Sequence, residues 1–503
     1  MHTGASSGAR VAFGTLVGTF PLSSSASGNP LSVTDRAAPP APANSWWSTI
    51  REAIRGSDQD FTEGPLGRAV ILLAIPMVVE MAMESIFAIT DIFFVSKLGA
   101  SAVAAVGLTE SLLAVVYALA MGMGTAVTAI VSRRIGEKHP ADAAHAAAQG
   151  LLLGVLIAFV LGALGSIFAP QLLALMGASP EVLAEGTGFA RVMLGGEASV
   201  ILLFLLNAAF RGAGDAAIAM RVLLISNALN IVLGPCFIFG VGPFPELGVT
   251  GAAVATTIGR GIGALIAFLT LVGGRHRLHV GPGDFFPDLH QIRALVRLAG
   301  SATFQFIIST ASWIGLVRII AVFGSVGLAG YTVAIRLLIF ALLPAWGLAN
   351  AAATLVGQNL GAGKPERAEQ SVWVACRYNL VFLSVLGVFF VTFAPTLTGV
   401  FGHDAEVSRV AALGLRIMSI GFPCYAFGMV VMQAFNGAGD TWTPTWLNFV
   451  IFWCWEIPLA WLLAKSFGWG ATGGFAAIPI AFSTLAIVGS ILFHRGKWKT
   501  REV

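Results

Sequence analysis

The chain has 503 residues, of which 56% are hydrophobic and only 11% are charged. Soluble domains carry about 25% charged residues, so this composition excludes an ordinary soluble globular protein and predicts a chain that lies in a lipid bilayer. The formal net charge of +4 is too small to support nucleic-acid binding.

Residues 1–60 are predicted to form a separate cytoplasmic segment. It is rich in Ser, Ala, Gly and Pro as far as Asn44 and has no acidic residue before Asp35. This composition is typical of disorder, and an organelle-targeting segment is the minor alternative. The stretch from Trp46 to Arg55 combines tryptophan and isoleucine with arginine. It is therefore either a short amphipathic helix on the membrane surface or an unstructured linker.

Apolar runs of about 20 residues or more, long enough to cross a membrane as helices, follow this segment. Six fall in each half of the chain. The prediction is an all-α membrane protein with twelve transmembrane helices in two six-helix repeats. The predicted spans are 67–94, 102–131, 143–168, 187–210, 216–240, 250–272, 294–323, 327–355, 368–394, 410–434, 442–466 and 472–493.

The two halves of the chain are copies of one unit. Residues 210–215 have the sequence FRGAGD, residues 435–440 have FNGAGD, and the same offset of 225 pairs many other positions without a gap. Internal duplication in an apolar chain is typical of secondary transporters. The predicted divisions are an N-lobe over 62–272, a cytoplasmic linker over 273–292, a C-lobe over 293–495 and a basic cytoplasmic tail over 496–503.

Lysine and arginine are distributed unevenly among the short loops. The loops after the second, fourth, sixth and eighth spans are basic, as is the tail, whereas the alternate loops carry few basic residues. Because basic loops remain in the cytoplasm, both termini are predicted to be cytoplasmic. The expected location is the plasma membrane, with an organelle membrane as the minor alternative.

Acidic residues inside the first two spans are the strongest functional candidates, because a carboxylate costs about 2.5–3.5 kcal/mol at the centre of a membrane helix. Glu80, Glu84 and Asp91 share one face of the first span by their spacing. Glu110 lies near the start of the second span. Clustered carboxylates bind protons or small cations, so these four acids predict a cation-coupling site.

A static role for some of these acids is the alternative. Arg318 and Arg336 lie within the seventh and eighth spans and are the predicted counter-charges for one or two of the four carboxylates. Asn230 in the fifth span and Thr256 in the sixth could supply further oxygen ligands, and a sodium site at Asp91 and Asn230 is one form that coupling could take.

The second half keeps the first helix of its repeat but lacks the acids. At the offset of 225, Gln305 takes the place of Glu80 and Ser309 that of Glu84, so ion coupling is expected in the first half only. Gln305 and Ser309 either bind substrate or join helices. Arg336 and Glu456 complete the candidate substrate cavity. Glu456 stands among tryptophans that either attract a cation or form an interfacial belt.

Several segments together resemble the multidrug and toxic compound extrusion (MATE) family, and most of all its prokaryotic DNA-damage-inducible type. The resemblance covers about residues 62–495. It rests on the first helix from Pro76 through Asp91-Ile-Phe-Phe to Leu98-Gly99, the loop Gly357-Gln-Asn-Leu-Gly-Ala-Gly363, the two Gly-Ala-Gly-Asp loops, and Asn230-Ile-Val-Leu-Gly-Pro235.

The resemblance implies a V-shaped, two-lobed antiporter that exports small amphiphilic organic cations in exchange for H⁺ or Na⁺. It assigns Asp91, Asn230 and Thr256 to the cation site of the N-lobe. Many relatives have an aspartate four residues after the asparagine, where this chain has Gly234, so the coupling ion stays open. No cofactor besides that ion is expected, and a monomer is the expected functional unit.

Two other functions stay open at this point. A flippase for a lipid-linked oligosaccharide or another amphiphile has the same broad architecture and would need a basic cavity, for which Arg318 and Arg336 are the candidates. A membrane enzyme is not expected, because no histidine cluster, Ser/His/Asp set or complete phosphate-binding loop is present in the sequence.

Overall fold

The computed structural model describes residues 46–57, 59–274, 276–400 and 404–501. Throughout these ranges the regular secondary structure is helical. The predicted disorder of residues 1–45 lies outside the described residues. Helix α1 spans Trp46–Arg55, so the amphipathic helix predicted as one of two alternatives is present. It buries Thr49 and Ala53 and leaves Trp47 exposed.

The first repeat follows as a series of long helices joined by short loops. Glycines with positive φ end two of them, at Gly214 after α6 and Gly240 after α7, because a residue without a Cβ adopts this conformation at little cost. The helices are α2 Leu66–Ser96, α3 Ala100–Gly136, α4 Pro140–Leu175, α5 Pro180–Gly195, α6 Glu197–Ala213, α7 Ala216–Phe239 and α8 Val249–Val272.

The second repeat has the same order of helices. A short 3₁₀ turn, Pro282–Phe285, precedes it, and Asp288 caps its first helix by accepting a hydrogen bond from the backbone N–H of His290 at 2.8 Å. Its helices are α9 Leu289–Ala321, α10 Ser325–Gly361, α11 Pro365–Gly399, α12 Ala405–Ile420, α13 Phe422–Gly437, α14 Trp442–Asn448, α15 Ile457–Trp461 and α16 Ala471–His494.

The predicted number of membrane spans is confirmed. Eleven helical segments of the described chain are long and apolar enough to cross a membrane, and the bent pair α12 and α13 makes a twelfth. Several helices extend beyond the predicted limits, as α3 does at both ends. The sequence limits were short because they followed the apolar run, whereas a helix continues through polar residues outside the hydrocarbon layer.

Two spans of the second repeat depart from straight helices. Helices α12 and α13 meet at 56° at Gly421. The span Trp442–Ser466 contains two wider π-type turns, Phe449–Glu456 and Leu462–Ser466. Such turns leave backbone groups without their usual partners and often mark functional positions in membrane helices.

The two repeats pack across each other through their first two helices. Helix α2 packs against α10 and α3 against α9, and the ends of α3 and α10 also meet. Glycines make the close approaches possible, since a methyl group at Gly347 would overlap the backbone of Met77. A methyl group at Gly136 would overlap Gln358, and one at Gly361 would overlap Arg133. The C-terminal ends of α3 and α10 therefore pack directly against each other and close this side of the molecule.

The chain between α1 and α2, residues 56, 57 and 59–64, forms an N-terminal strap across basic residues of both repeats. From the linker between the repeats, Arg277 donates to the carbonyl oxygen of Gln59 at 2.7 Å, and from the first repeat Lys138 pairs with Asp60 at 3.2 Å. From the second, Arg367 donates to the carbonyl oxygen of Glu63 at 2.8 Å. The strap thus links both halves at the closed end of α3 and α10.

Asp60 makes the strap sensitive to acid. Burial alone would raise the pKa of Asp60, but hydrogen bonds from Thr62 and from Lys138 outweigh burial and lower the pKa from 3.8 to about 2. A carboxyl with a lowered pKa stabilises the folded form above its unfolded pKa of 3.8 and loses that contribution as the pH falls toward 2.

The rate of amide hydrogen exchange of residues 59–64, corrected for the intrinsic pH dependence of exchange, should therefore increase as the pH falls from 3.8 toward 2. Asp60→Asn should give the faster corrected exchange already at neutral pH and remove its acid dependence. Glu63→Gln is the matched control, because Glu63 is 69% exposed and only loosely paired with Lys364 at 3.8 Å. Equal corrected exchange in wild type and Asp60→Asn at neutral pH would contradict this role of Asp60.

Candidate functional site

Glu80 at the middle of α2 is paired with an arginine of the same repeat. Its side chain is buried, and its Oε1 accepts a hydrogen bond from Nη1 of Arg211 on α6 at 2.6 Å. The second carboxylate oxygen of Glu80 is buried without a hydrogen-bond partner. The ion pair ties α2 to α6 and supplies the counter-charge that a buried carboxylate requires.

Glu84, one turn further along α2, is paired in the same manner. Nη1 and Nη2 of Arg260 on α8 donate to its two carboxylate oxygens at 3.2 and 3.4 Å. The guanidinium group also lies over the ring of Phe87, 5.2 Å from the ring centroid. This two-point geometry, with an aromatic face behind it, is typical of arginine–carboxylate pairs in sites of low dielectric.

For Glu80 and Glu84 the counter-charges predicted from the sequence were the wrong arginines, whereas Arg336 lies within electrostatic reach of Glu110. Arg318 and Arg336 have exposed side chains and make no ion pair or hydrogen bond within the described residues. Arg211 and Arg260 take this role instead. Arg211 was counted as a loop residue from its place at the end of the fourth span, and it lies inside helix α6.

Asp91 and Glu110 differ from the two paired glutamates. In the described part of the chain neither has a hydrogen bond or ion pair, although Asp91 lies within electrostatic reach of Arg260 and Glu110. Asp91 is partly buried and Glu110 is exposed. Of the three acids on α2, Asp91 alone is therefore free to exchange an ion without breaking an arginine pair.

Asn230 and Thr256 are in direct contact. Nδ2 of Asn230 on α7 donates to Oγ1 of Thr256 on α8 at 2.7 Å, and both side chains are buried. Helix α7 also contacts the outer part of α2, where Phe94, one turn after Asp91, packs against Phe239. No group of three or more His, Cys, Asp or Glu side chains suited to a metal occurs among the described residues. A cation at Asp91 would thus depend on amide, hydroxyl or water oxygens for its other ligands.

A central cavity lies where the two repeats meet, and equivalent positions of the repeats line it. Five pairs of lining residues stand 225 positions apart in the chain. They are Met81 with Phe306, Met121 with Trp346, Thr125 with Asn350, Thr128 with Ala353, and Arg211 with Asn436. The cavity therefore lies on the axis that relates the halves, but the two walls differ in chemistry.

A second, larger cavity adjoins it inside the second repeat and is called the side cavity here. Its volume is about 350 Å³, and it shares Phe306, Trp346 and Gln433 with the central cavity. Gln305 and Ser309 line it, as predicted for the substrate cavity. Ser309 accepts a hydrogen bond from Asn448 at 2.8 Å, while Oε1 of Gln305 is buried without a partner.

Arg336 and Glu456, the other two residues predicted for the substrate cavity, line neither cavity. Glu456 is buried within the second repeat, in the electrostatic environment of Tyr331 and Tyr425. The prediction placed Glu456 among neighbouring tryptophans, but the π-type turn at Phe449–Glu456 changes which side of the helix each residue occupies. Trp453 and Trp455 are exposed there, whereas Glu456 faces inward.

Several residues of the site were missed in the sequence. Arg260 was overlooked because no acid stands near it in the chain, and Trp346, Asn350 and Asn436 were not recognised as cavity residues. The repeat offset held the missing information, because position 436 is the copy of position 211 and position 346 is the copy of position 121. Positions that meet on the axis between two repeats are found only once the packing of the repeats is known.

Comparison with known proteins gives a consistent result over most of the chain. The family model described as MatE matches residues 76–236 and 302–462, once in each repeat. The chain is 26% identical over 439 residues to the probable multidrug resistance protein NorM of Thermotoga maritima, covering 87% of this chain and 94% of that protein. It is also 26% identical over 436 residues to a FAD transporter of Shewanella oneidensis, covering 86% and 95%.

A solved structure agrees with the fold. A multidrug resistance MATE family transporter of the MOP superfamily, in an outward-facing conformation, superposes with a TM-score of 0.83 and 25% identity. The superposition covers 88% of this chain and 98% of that one.

The pair of Glu84 and Arg260 makes a stability prediction. Arg260→Gln leaves the carboxylate of Glu84, whose side chain is 16% exposed, without its partner and should destabilise the protein by about 3 kcal/mol, the lower end of the range for buried pairs. The double variant Glu84→Gln/Arg260→Gln removes both charges and should recover most of that loss. Thermal unfolding of the detergent-purified chain measures both. A single variant as stable as the double would show that the two groups do not depend on each other.

Proposed function

Because this chain belongs to the MatE family, we propose that it exports small organic molecules across the membrane in exchange for a cation bound near Asp91. The cavity between the repeats supports the organic substrate, since its walls are mostly aromatic, aliphatic and sulfur-containing side chains with a few polar groups. The relatives support a transport function, because one is a probable multidrug resistance protein and another a FAD transporter.

The path through the membrane follows from the packing of the repeats. We place the basic loops on the cytoplasmic side of the plasma membrane by the distribution of lysine and arginine. The closed ends of α3 and α10 then lie at the cytoplasmic face, so the described conformation shuts the cavity toward the cytoplasm. Export requires the alternate conformation, in which these glycine contacts separate and the opposite ends of the lobes approach.

Asp91 is the proposed coupling residue, with Asn230 and Thr256 of the same lobe as candidate partners. Glu80 and Glu84 are less suited to this role than the sequence suggested, because arginines already occupy them at hydrogen-bond distance. A proton would neutralise Asp91, and Na⁺ would bind it through oxygen ligands. Either ion neutralises Asp91 and so removes the electrostatic attraction between Asp91 and Arg260.

Helix α2 provides the proposed link between ion and substrate. It carries Asp91 toward one end, Glu84 paired with Arg260 in the middle, and Glu80 paired with Arg211 next to the central cavity. A change of charge at Asp91 alters the balance of charges around Arg260, and a shift of α2 would move Arg211 at the cavity wall. Exchange follows if ion and substrate favour different positions of α2.

The flippase alternative rested on Arg318 and Arg336 as parts of a basic cavity, and neither residue supplies that charge in this structure. Both side chains are exposed, and neither lines the central or the side cavity.

Asp91→Asn should abolish export driven by an ion gradient while the protein remains folded and inserted. Binding at one of two linked sites typically changes the affinity of the other by about 5–150-fold. Because Asp91→Asn removes the ion site, this coupling is lost, and uphill accumulation of a fluorescent dye should fall to the level of passive leak. The assay is dye transport in proteoliposomes. Glu246→Gln is the matched control, because Glu246 lies in an exposed loop between α7 and α8. Dye export by Asp91→Asn at the wild-type rate would remove Asp91 from the mechanism.

The identity of the ion is tested in the same vesicles. A pH gradient alone and a sodium gradient alone are imposed in separate experiments, and one of them should drive dye export by the wild-type protein. Export driven equally well in the absence of both gradients would contradict cation-coupled exchange.

A further inference from the structure

The walls of the two cavities carry an unexpected charge pattern for an exporter of organic cations. No Asp, Glu or Lys is among the described residues that line them, and Arg211 is the one charged side chain there. Glu80, which pairs with Arg211, is buried and does not line either cavity. The pair is therefore oriented with its guanidinium toward the cavity and its carboxylate behind it, so a ligand meets hydrogen-bond donors and positive charge.

Three amide side chains form a row on the wall of the central cavity. Nδ2 of Asn436 donates to Oε1 of Gln433 at 2.7 Å, and Nε2 of Gln433 donates to Oδ1 of Asn350. Because the bonds run in one direction, each strengthens the next. The row leaves the Nδ2 group of Asn350 as a donor at one end and Oδ1 of Asn436, buried without a partner, as an acceptor at the other.

A ligand in the cavity meets this row at Asn350, because Oδ1 of Asn436 is buried. In the arrangement described, Asn350 offers its Nδ2 group as a donor. Rotating all three amides by 180° presents Oδ1 of Asn350 instead, so a ligand edge that carries both a donor and an acceptor bonds to the row in either arrangement. Groups that offer a donor and an acceptor together are amides, imides and the edges of nucleobase-like rings.

A flat aromatic surface stands beside the row. The rings of Phe306 and Trp346 are stacked, with centroids 5.7 Å apart and planes inclined by 11°. They form the wall shared by the central and side cavities. A further flat ring can stack on this pair, and the thioethers of Met81 and Met121 on the opposite wall adapt to its shape.

We propose that this cavity selects flat heteroaromatic molecules that have an amide- or imide-type edge and a negatively charged group, in preference to organic cations. The ring stacks on Phe306 and Trp346, the edge bonds to Asn350, and the anionic group bonds to Arg211. This inference deepens the proposed transport function and rests on its assignment of the cavity to substrate. It reverses the cationic preference expected from the sequence.

Equilibrium dialysis of three probes against the full chain purified in detergent tests the proposal. Riboflavin has an imide-edged flat ring without charge, flavin mononucleotide has the same ring with a phosphate, and proflavine is a flat cation. Flavin mononucleotide should bind at least about tenfold more tightly than riboflavin, because hydrogen bonds to charged groups contribute about 1.5–3 kcal/mol. Proflavine should bind more weakly than riboflavin.

Variants separate the three parts of the site. Glu80→Gln/Arg211→Gln removes both charges without stranding one, and it should bring the affinity for flavin mononucleotide down to that for riboflavin while leaving riboflavin unchanged. Asn350→Leu should weaken both flavins by about three- to tenfold. Gln370→Leu, which changes an exposed amide at the start of α11, is the matched control and should change neither.

The outcomes distinguish this inference from the transport function. Proflavine binding more tightly than flavin mononucleotide, or equal binding of both flavins by the wild type, overturns the proposed selectivity. If either occurs while dye export in proteoliposomes still responds to an ion gradient, the transport function stands and the selectivity alone is wrong. If flavin selectivity is found and no gradient drives export, the coupling proposal fails and the binding site remains.

Discussion

The structure depends on one constraint, which is that charge inside a membrane must be paired. Arg211 and Arg260 satisfy this constraint for Glu80 and Glu84, and in doing so they connect α2 to α6 and α8 of its own repeat. An acid held in this manner has a fixed partner and a structural role. Asp91 lacks such a partner among the described residues, so it is the acid of α2 that remains available to an ion.

Duplication explains how one chain combines two tasks. The repeats place equivalent positions around the central cavity, but the first contributes Met81, Met121 and Arg211, and the second contributes Phe306 and Trp346 with their amide neighbours. The first repeat alone carries the acids of α2. In the proposed function, ion binding and ring recognition are thus assigned to different lobes. Arg211 connects them, because it pairs with Glu80 of the first lobe and lines the cavity between the lobes.

The sequence was sufficient for the architecture and insufficient for the site. Run lengths and the repeat offset predict the spans because the thickness of a bilayer sets helix length. The partners of Glu80 and Glu84 could not be predicted, because those pairs form between helices distant in the chain. Glu456 was misplaced because the sequence analysis assumed a regular α-helix. The π-type turn at Phe449–Glu456 rotates the residues that follow it to a different face of the helix. Gln305 and Ser309, which the repeat offset maps onto the acids of α2, line the side cavity, and their contact with substrate stays a prediction.

The proposed mechanism requires that Asp91 exchanges an ion while Glu80 and Glu84 keep their arginine partners. Infrared difference spectroscopy of the reconstituted protein across a pH titration measures this directly, because a protonated carboxyl has a C=O stretching band that a carboxylate lacks. Among the titrating carboxyl bands, one should disappear in Asp91→Asn and persist in Glu80→Gln and Glu84→Gln. A band that persists in Asp91→Asn and disappears in Glu84→Gln would contradict this mechanism.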